Sequence, residues 1–183
     1  MKKVELHLHL DGSVRESTIA ELLGVNEKDI ENMLHASDFN CDLKEYLTKF
    51  DMPLKVMQTK ENLSRIAMEL GEDLEKDDII YAEVRFAPQL HTKNGLSYDD
   101  IVLSVIDGFK KCNIKINVIL CMMRGASYIN NLKTVNGRVS IECSQSELEM
   151  VRVQYEVYIE EHPGVANRNL NLVGLAGINP LPN

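Results

Sequence analysis

Two histidines stand one residue apart near the start of the chain, His7 and His9, and an aspartate, Asp11, follows two residues later. Alternate side chains of an extended strand share a face. Glu5, His7, His9 and Asp11 are therefore expected on one side, and Val4, Leu6, Leu8 and Leu10 on the other. Two imidazoles projecting from one face can hold a single metal ion, and neutral histidine is a good zinc ligand. A His-x-His pair alone is a weak signal, because two polar residues on a half-exposed edge strand are spelled the same way. Its place at the end of an apolar strand, with Asp11-Gly12 opening the turn, makes it stronger. Single histidines elsewhere carry plainer expectations. His35 and His162 fall at expected helix ends, where a cation suits the dipole. His91, just beyond the second strand, reads as a surface residue rather than a substrate contact.

The elements that must position this pair alternate in type. Residues 2–10, 79–88 and 114–123 read as buried strands, with a weaker fourth at 170–177. Helices are expected near 16–23 and 27–35. Another is marked by the stripe Leu63, Ile66, Ala67, Leu70 and Leu74, which Gly71 weakens slightly. Ser97 with Asp100 forms a capping box ahead of the next helix, and Lys110 and Lys111 suit its end. Ser144 with Glu147 opens a further run, in which Leu148, Val151, Tyr155, Tyr158 and Ile159 form a stripe that Pro163 and Gly164 stop. Strands alternating with helices imply parallel β-α-β units, in either an open doubly wound sheet or a β/α barrel. A G-x-G-x-x-G turn after the first strand would favour a dinucleotide fold, and it is missing.

Composition narrows the functions. The chain has 183 residues, enough for one modest domain, and is 44% hydrophobic, enough for a core. A net charge of −8 argues against a nucleic-acid partner. Cys41, Cys112, Cys121 and Cys143 form no C-x-x-C pair, so free thiols in a reducing cytoplasm are expected. The longest apolar run is too short to cross a membrane, and no signal peptide is expected.

The stretch KVELHLHLDGSVR, residues 3–15, closely resembles the N-terminal motif of the adenosine deaminases, in the metal-dependent amidohydrolase superfamily. Residues 43–70, 77–92 (DDIIYAEVRFAPQLHT) and 116–125 (INVILCMMRG) resemble later segments of that family in order and spacing. Together they cover roughly residues 2–135, and LVGLAG near the end is faintly similar to the fourth strand. The resemblance implies an α/β fold, the N-terminal half of a metallo-dependent hydrolase (β/α)8 TIM barrel with about four parallel strands. It implies that His7 and His9 bind a catalytic zinc, with His9 also near the bound nucleoside. Asp11 matches the residue that hydrogen-bonds the ribose 5′-hydroxyl, where adenine deaminases usually have glutamate, and so favours a purine nucleoside over a free base. Leu47 and Phe50 match apolar positions of the flap over the purine, although either could equally be the stripe of a short helix. Gly177 matches the glycine whose N–H contacts purine N3. Glu83 and Arg85 match a scaffold element inside the barrel, expected as a structural ion-pair network, and Arg124 is read similarly.

The implied reaction is hydrolytic removal of the 6-amino group of adenosine or deoxyadenosine, in purine salvage. The H-x-E and P-C-x-x-C signatures of the other zinc deaminase class do not occur. Several parts of the family pattern are absent as well: the third zinc histidine, the H-A-G-E segment with its proton-donating glutamate, the hydroxide-steering histidine and the paired aspartates. Gly174 and Asn179 stand where the fourth strand should carry an aspartate and a glutamate, and residues 136–169 lie off the family pattern. No catalytic acid or base is therefore assigned, and the chain is expected to have little or no activity alone. Two alternatives remain: a non-catalytic remnant that self-associates through open sheet edges or binds a partner, and an adenine or other purine deaminase.

Overall fold

The computed structural model describes residues 1–34, 48–123, 126–127, 129–131, 133–134 and 151–154. Four strands, β1 (Lys3–His9), β2 (Ile79–Phe86), β3 (Lys115–Cys121) and β4 (Val151–Gln154), form one sheet in the order β1-β2-β3-β4, every neighbouring pair parallel. Helices α1 (Glu16–Leu23), α2 (Glu27–Leu34), α3 (Asp51–Val56) and α4 (Lys60–Lys76) fall between β1 and β2. A 3-10 turn at Pro88–His91 and helix α5 (Tyr98–Phe109) connect β2 to β3. Sequential parallel strands joined by helices make an α/β fold with a partial β/α-barrel arrangement.

The two long helices begin where the sequence marks them. Thr59 accepts a hydrogen bond from the Asn62 N–H at the start of α4, and Ser97 Oγ accepts one from the Asp100 N–H at the start of α5. The expected α4 stripe is buried, as are Ile101, Val102, Val105, Ile106 and Phe109 of α5. These side chains meet Ala82, Val84 and Phe86 of β2 and Ile116, Val118 and Leu120 of β3 in one hydrophobic core, on the helix-facing side of the sheet. The opposite side carries polar residues beside the buried Ile119. There Asn117 Nδ2 donates to Tyr81 Oη, which donates to Glu83 Oε1. Gly71 has a packing reason the helical pattern did not reveal: a Cβ there would lie 2.2 Å from Cys112 Sγ. Gly108 is similarly close, but to backbone, its Cβ position 2.3 Å from Ser64 O. Arg15 ties the start of α1 to α4 by hydrogen bonds to Asp73, Glu72 and the Glu69 carbonyl.

Two expectations need correction. The run opening at Ser144 is expected to be helical through Ile159, but residues 151–154 form β4, in register Val118↔Val151 through Cys121↔Gln154. Val-Arg-Val-Gln has two β-branched residues at strand spacing, and pairing with β3 outweighs its fit to a helical stripe. The strand expected at 170–177 lies outside the described residues. The second correction concerns β1, expected to be buried. It is an edge strand of the described sheet, and Val4 and Leu6 are each 56% exposed. Only at its end does the chain enter the core, where Leu10 is buried.

Candidate active site

The site lies at the carboxyl end of β1, where active sites of parallel α/β folds assemble. The β1–β2 register slips between Glu5 and Leu8, so this stretch is not a regular ladder. Two side chains hold the peptide unit at the slip. The His7 N–H donates to Glu5 Oε1 at 2.8 Å, and Arg85 Nη2 donates to the Leu6 carbonyl at 3.2 Å. Beyond it the chain is fixed again. The Leu10 N–H donates to the Arg85 carbonyl, and Ser13 Oγ donates to the His9 carbonyl at 2.7 Å.

The outcome is that the His7 and His9 rings lie side by side, with centroids 5.4 Å apart and planes inclined by 35°. His9 Nδ1 is 3.9 Å from Asp11 Oδ1. The Asp11 side chain is only 13% exposed, and its Oδ1 is buried without a hydrogen-bond partner among the described residues. Burial pushes the Asp11 carboxyl above the usual carboxylate range, against the opposing pull of His9 and of the backbone N–H groups of Asp11 and Gly12.

Both imidazoles and Asp11 line a cavity of about 630 Å³, the size of a small-molecule site. Its walls are otherwise largely apolar, with Phe50, Leu54, Phe86, Leu90 and Met123. A smaller space of about 280 Å³, bordered by Glu16 and Lys49, adjoins it across Asp11, Gly12 and Phe50. The donors fit a divalent metal in part. Two adjacent imidazoles and a buried carboxylate oxygen without a donor suit a cation and a polar ligand. No group of three metal-ligating side chains occurs among the described residues.

His7, His9, Asp11 and Phe50 thus line one cavity. Leu47, Gly177, Arg124, His35 and His162 lie outside the described residues. His91 departs from its expected surface role. It is fully buried beneath the cavity wall, its Nδ1 3.0 Å from the Met57 carbonyl and its ring 5.7 Å from that of Phe86. The 3-10 turn folds it inward, which its position after a strand does not announce. Ser13, Phe86 and Leu90 are site residues that sequence reasoning missed. Ser13 had a usable signal, because a serine after an Asp-Gly turn commonly bonds back to the preceding backbone. Neither Cys112 nor Cys121 is in a disulfide among the described residues, and no helix among them is long and apolar enough to cross a membrane.

The chain is similar to known proteins in sequence and in fold. An adenosine deaminase of Clostridium botulinum (strain 657 / Type Ba4) is 47% identical over 136 residues, which cover 68% of this chain and 41% of that protein. The chain thus spans less than half the length of that relative. The N6-mAMP deaminase of Arabidopsis thaliana superposes with a TM-score of 0.72 at 23% identity, over 94% of this chain and 57% of that one. An amidohydrolase from Burkholderia ambifaria, solved with bound Zn, superposes with a TM-score of 0.70 at 20% identity, over 86% of this chain and 45% of that one. The profile of the family described as Adenosine deaminase matches residues 2–177, and on that match the chain belongs to the adenosine deaminase family.

Proposed function

We propose that this chain carries the first-strand portion of a zinc-dependent site that deaminates a purine nucleoside, adenosine or deoxyadenosine, in purine salvage. The convergence of His7 and His9 at the rim of a mostly apolar cavity carries the reading. The zinc in the Burkholderia amidohydrolase supports the choice of metal. His7 and His9 would hold the ion as two of its ligands. When bound, zinc supplies Lewis acidity that lowers the pKa of a water to about 7, making a nucleophile available at neutral pH.

The chain's own residues do the rest of what can be assigned. The apolar wall, Phe50 and Phe86 included, packs on the purine and excludes water, which strengthens each polar contact inside. The buried Asp11 Oδ1 accepts from a sugar hydroxyl, and this separates a nucleoside from free adenine. No catalytic acid is assigned among the described residues, and a missing general acid costs roughly 10²–10⁴-fold. The isolated 183-residue chain therefore binds metal and nucleoside but turns over slowly. That Cys112 and Cys121 are in no disulfide among the described residues suits a reducing cytoplasm.

The test is zinc stoichiometry on the purified chain, followed by loss of the adenosine absorbance on prolonged incubation, with adenine in parallel. We expect zinc that His7→Ala abolishes, slow conversion of adenosine, and none of adenine. Zinc retained in His7→Ala would sink the proposed site, and a rate typical of intact enzymes would sink the low turnover. A second reading, self-association without catalysis, draws on the exposed Val4 and Leu6 of β1, an edge strand of the described sheet. Concentration-dependent sedimentation of a zinc-free protein would favour it.

A further inference from the structure

The Leu6–His7 peptide unit lies in the second of two places where the β1–β2 register shifts, and both of its polar groups are held by side chains. Glu5 accepts its N–H at 2.8 Å, and Arg85 donates to its carbonyl at 3.2 Å. We propose that Glu5 and Arg85 are positioning residues, a two-sided clamp that sets the orientation of His7 toward His9. The inference rests on the metal reading above and extends it to residues that touch neither metal nor substrate.

A slip in register changes which way successive side chains point. An unclamped Leu6–His7 peptide could rotate and carry the His7 ring away from its neighbour. The anchors on either side do not prevent this. Glu5 is paired with Ala82, and Leu8 with Val84, so the freedom is confined to the two residues between. Arg85 suits the task because it is the cross-strand partner of His9 and is itself only 5% exposed. Its position therefore refers the first ligand's backbone to the strand beside the second. Glu5 acts from the other side and on a single bond within its own strand. An i, i+2 contact of this kind depends on an acceptor oxygen and not on charge as such.

The test uses the whole 183-residue chain and the variants Glu5→Ala, Glu5→Gln and Arg85→Met. Two quantities are read: Co²⁺ affinity from its visible absorption, and the hydrogen-exchange rate of the His7 amide in metal-free protein by NMR. Glu5→Ala is expected to weaken Co²⁺ binding by about tenfold or more, the scale of lost outer-shell support, and to speed exchange at His7. Glu5→Gln keeps a carbonyl acceptor and should retain wild-type values of both. Arg85→Met should weaken Co²⁺ binding as Glu5→Ala does. Unchanged affinity and exchange in Glu5→Ala, or a Glu5→Gln variant as impaired as Glu5→Ala, would overturn the clamp. If the wild-type chain takes up no Co²⁺, the metal reading falls by itself. The clamp is then decided by His7 exchange and by the His7–His9 ring contact in the nuclear Overhauser spectrum. Both must change in Glu5→Ala and Arg85→Met for it to stand.

Discussion

His91 makes the stability of this protein depend on pH in a window where few other side chains titrate. Its ring is fully buried, and burial lowers its pKa from 6.5 to about 4, only partly opposed by the hydrogen bond to the Met57 carbonyl. The folded chain therefore holds His91 neutral, while the unfolded chain binds a proton there once the pH falls below about 6.5. Between the two values the unfolded state carries more protons, so stability rises with pH through the window. The contribution is complete above the unfolded value, shrinks as pH falls, and is lost below the folded value. Linkage between these values puts the loss from pH 7 to pH 5 at roughly 2 kcal/mol, and at about 3 kcal/mol in the acid limit. The perturbation is His91→Gln, which keeps a donor for the Met57 carbonyl and cannot titrate. Urea unfolding of both proteins at pH 7, 6 and 5 should show the wild type losing stability along this curve and the variant staying much flatter. The low pKa of Asp73 and Asp100, set by hydrogen bonds to Arg15 and Lys60, confines their own contribution to more acid pH. Equal slopes in the two proteins between pH 7 and pH 5 would refute the assignment, whatever their absolute stabilities.

Two glycine substitutions should behave differently. Gly108→Ala places a methyl 2.3 Å from the Ser64 carbonyl and 2.6 Å from Ala67 Cβ, and should lower stability by about 3 kcal/mol, measured as a fall in the urea midpoint. Gly12→Ala meets the ring edge of Phe50 at 3.2 Å, a side chain that can give way. It should cost less than about 1 kcal/mol of stability while weakening nucleoside binding by calorimetry, because Phe50 is displaced into the cavity.

How much of this was legible in the sequence follows from how local each cause is. Thr59, Ser97 and the buried stripes of α4 and α5 act within a few residues of themselves, so capping and periodicity place those helices closely. The parallel order of β1 to β3 follows from the alternation of strand and helix. His7 and His9 are legible as a candidate pair because a strand's two-residue repeat is also a metal-ligand spacing, and Asp11 is a candidate through the family resemblance. The slip between Glu5 and Leu8 is not legible, because it is a property of the pairing with β2, and the Arg85 that bonds the Leu6 carbonyl lies nearly eighty residues away in the chain. His91 was misread for the same reason: its burial is decided by the Met57 carbonyl and Phe86 closing over a short turn. At β4, one sequence satisfies a helical stripe and a β-branched strand, and only the presence of β3 chooses between them.

The division of labour across the sheet explains how part of a barrel can hold a site in place. One face of β2 and β3 is apolar, and it packs against α4 and α5 in the core. The other face carries Tyr81, Glu83 and Asn117 in a hydrogen-bonded chain. Arg85 holds the bend in β1 beside it. Burial of the first face supplies the cohesion, at about 25 cal/mol per Å² of apolar surface removed from water. The second face contributes little to that total and is free to be polar. The imidazole pair needs only the end of β1, its neighbour β2 and the turn through Ser13, which Leu8, Leu10, Val84 and Phe86 tie to the helix-facing core. Metal-ligand geometry and global stability should therefore respond to different residues. Glu5→Ala should disturb the first with little effect on the urea midpoint, and Gly108→Ala should lower the midpoint while sparing Co²⁺ affinity in the protein that remains folded. Measuring both quantities on both variants tests that separation, and a common loss in the two would show that the site and the core are one cooperative unit.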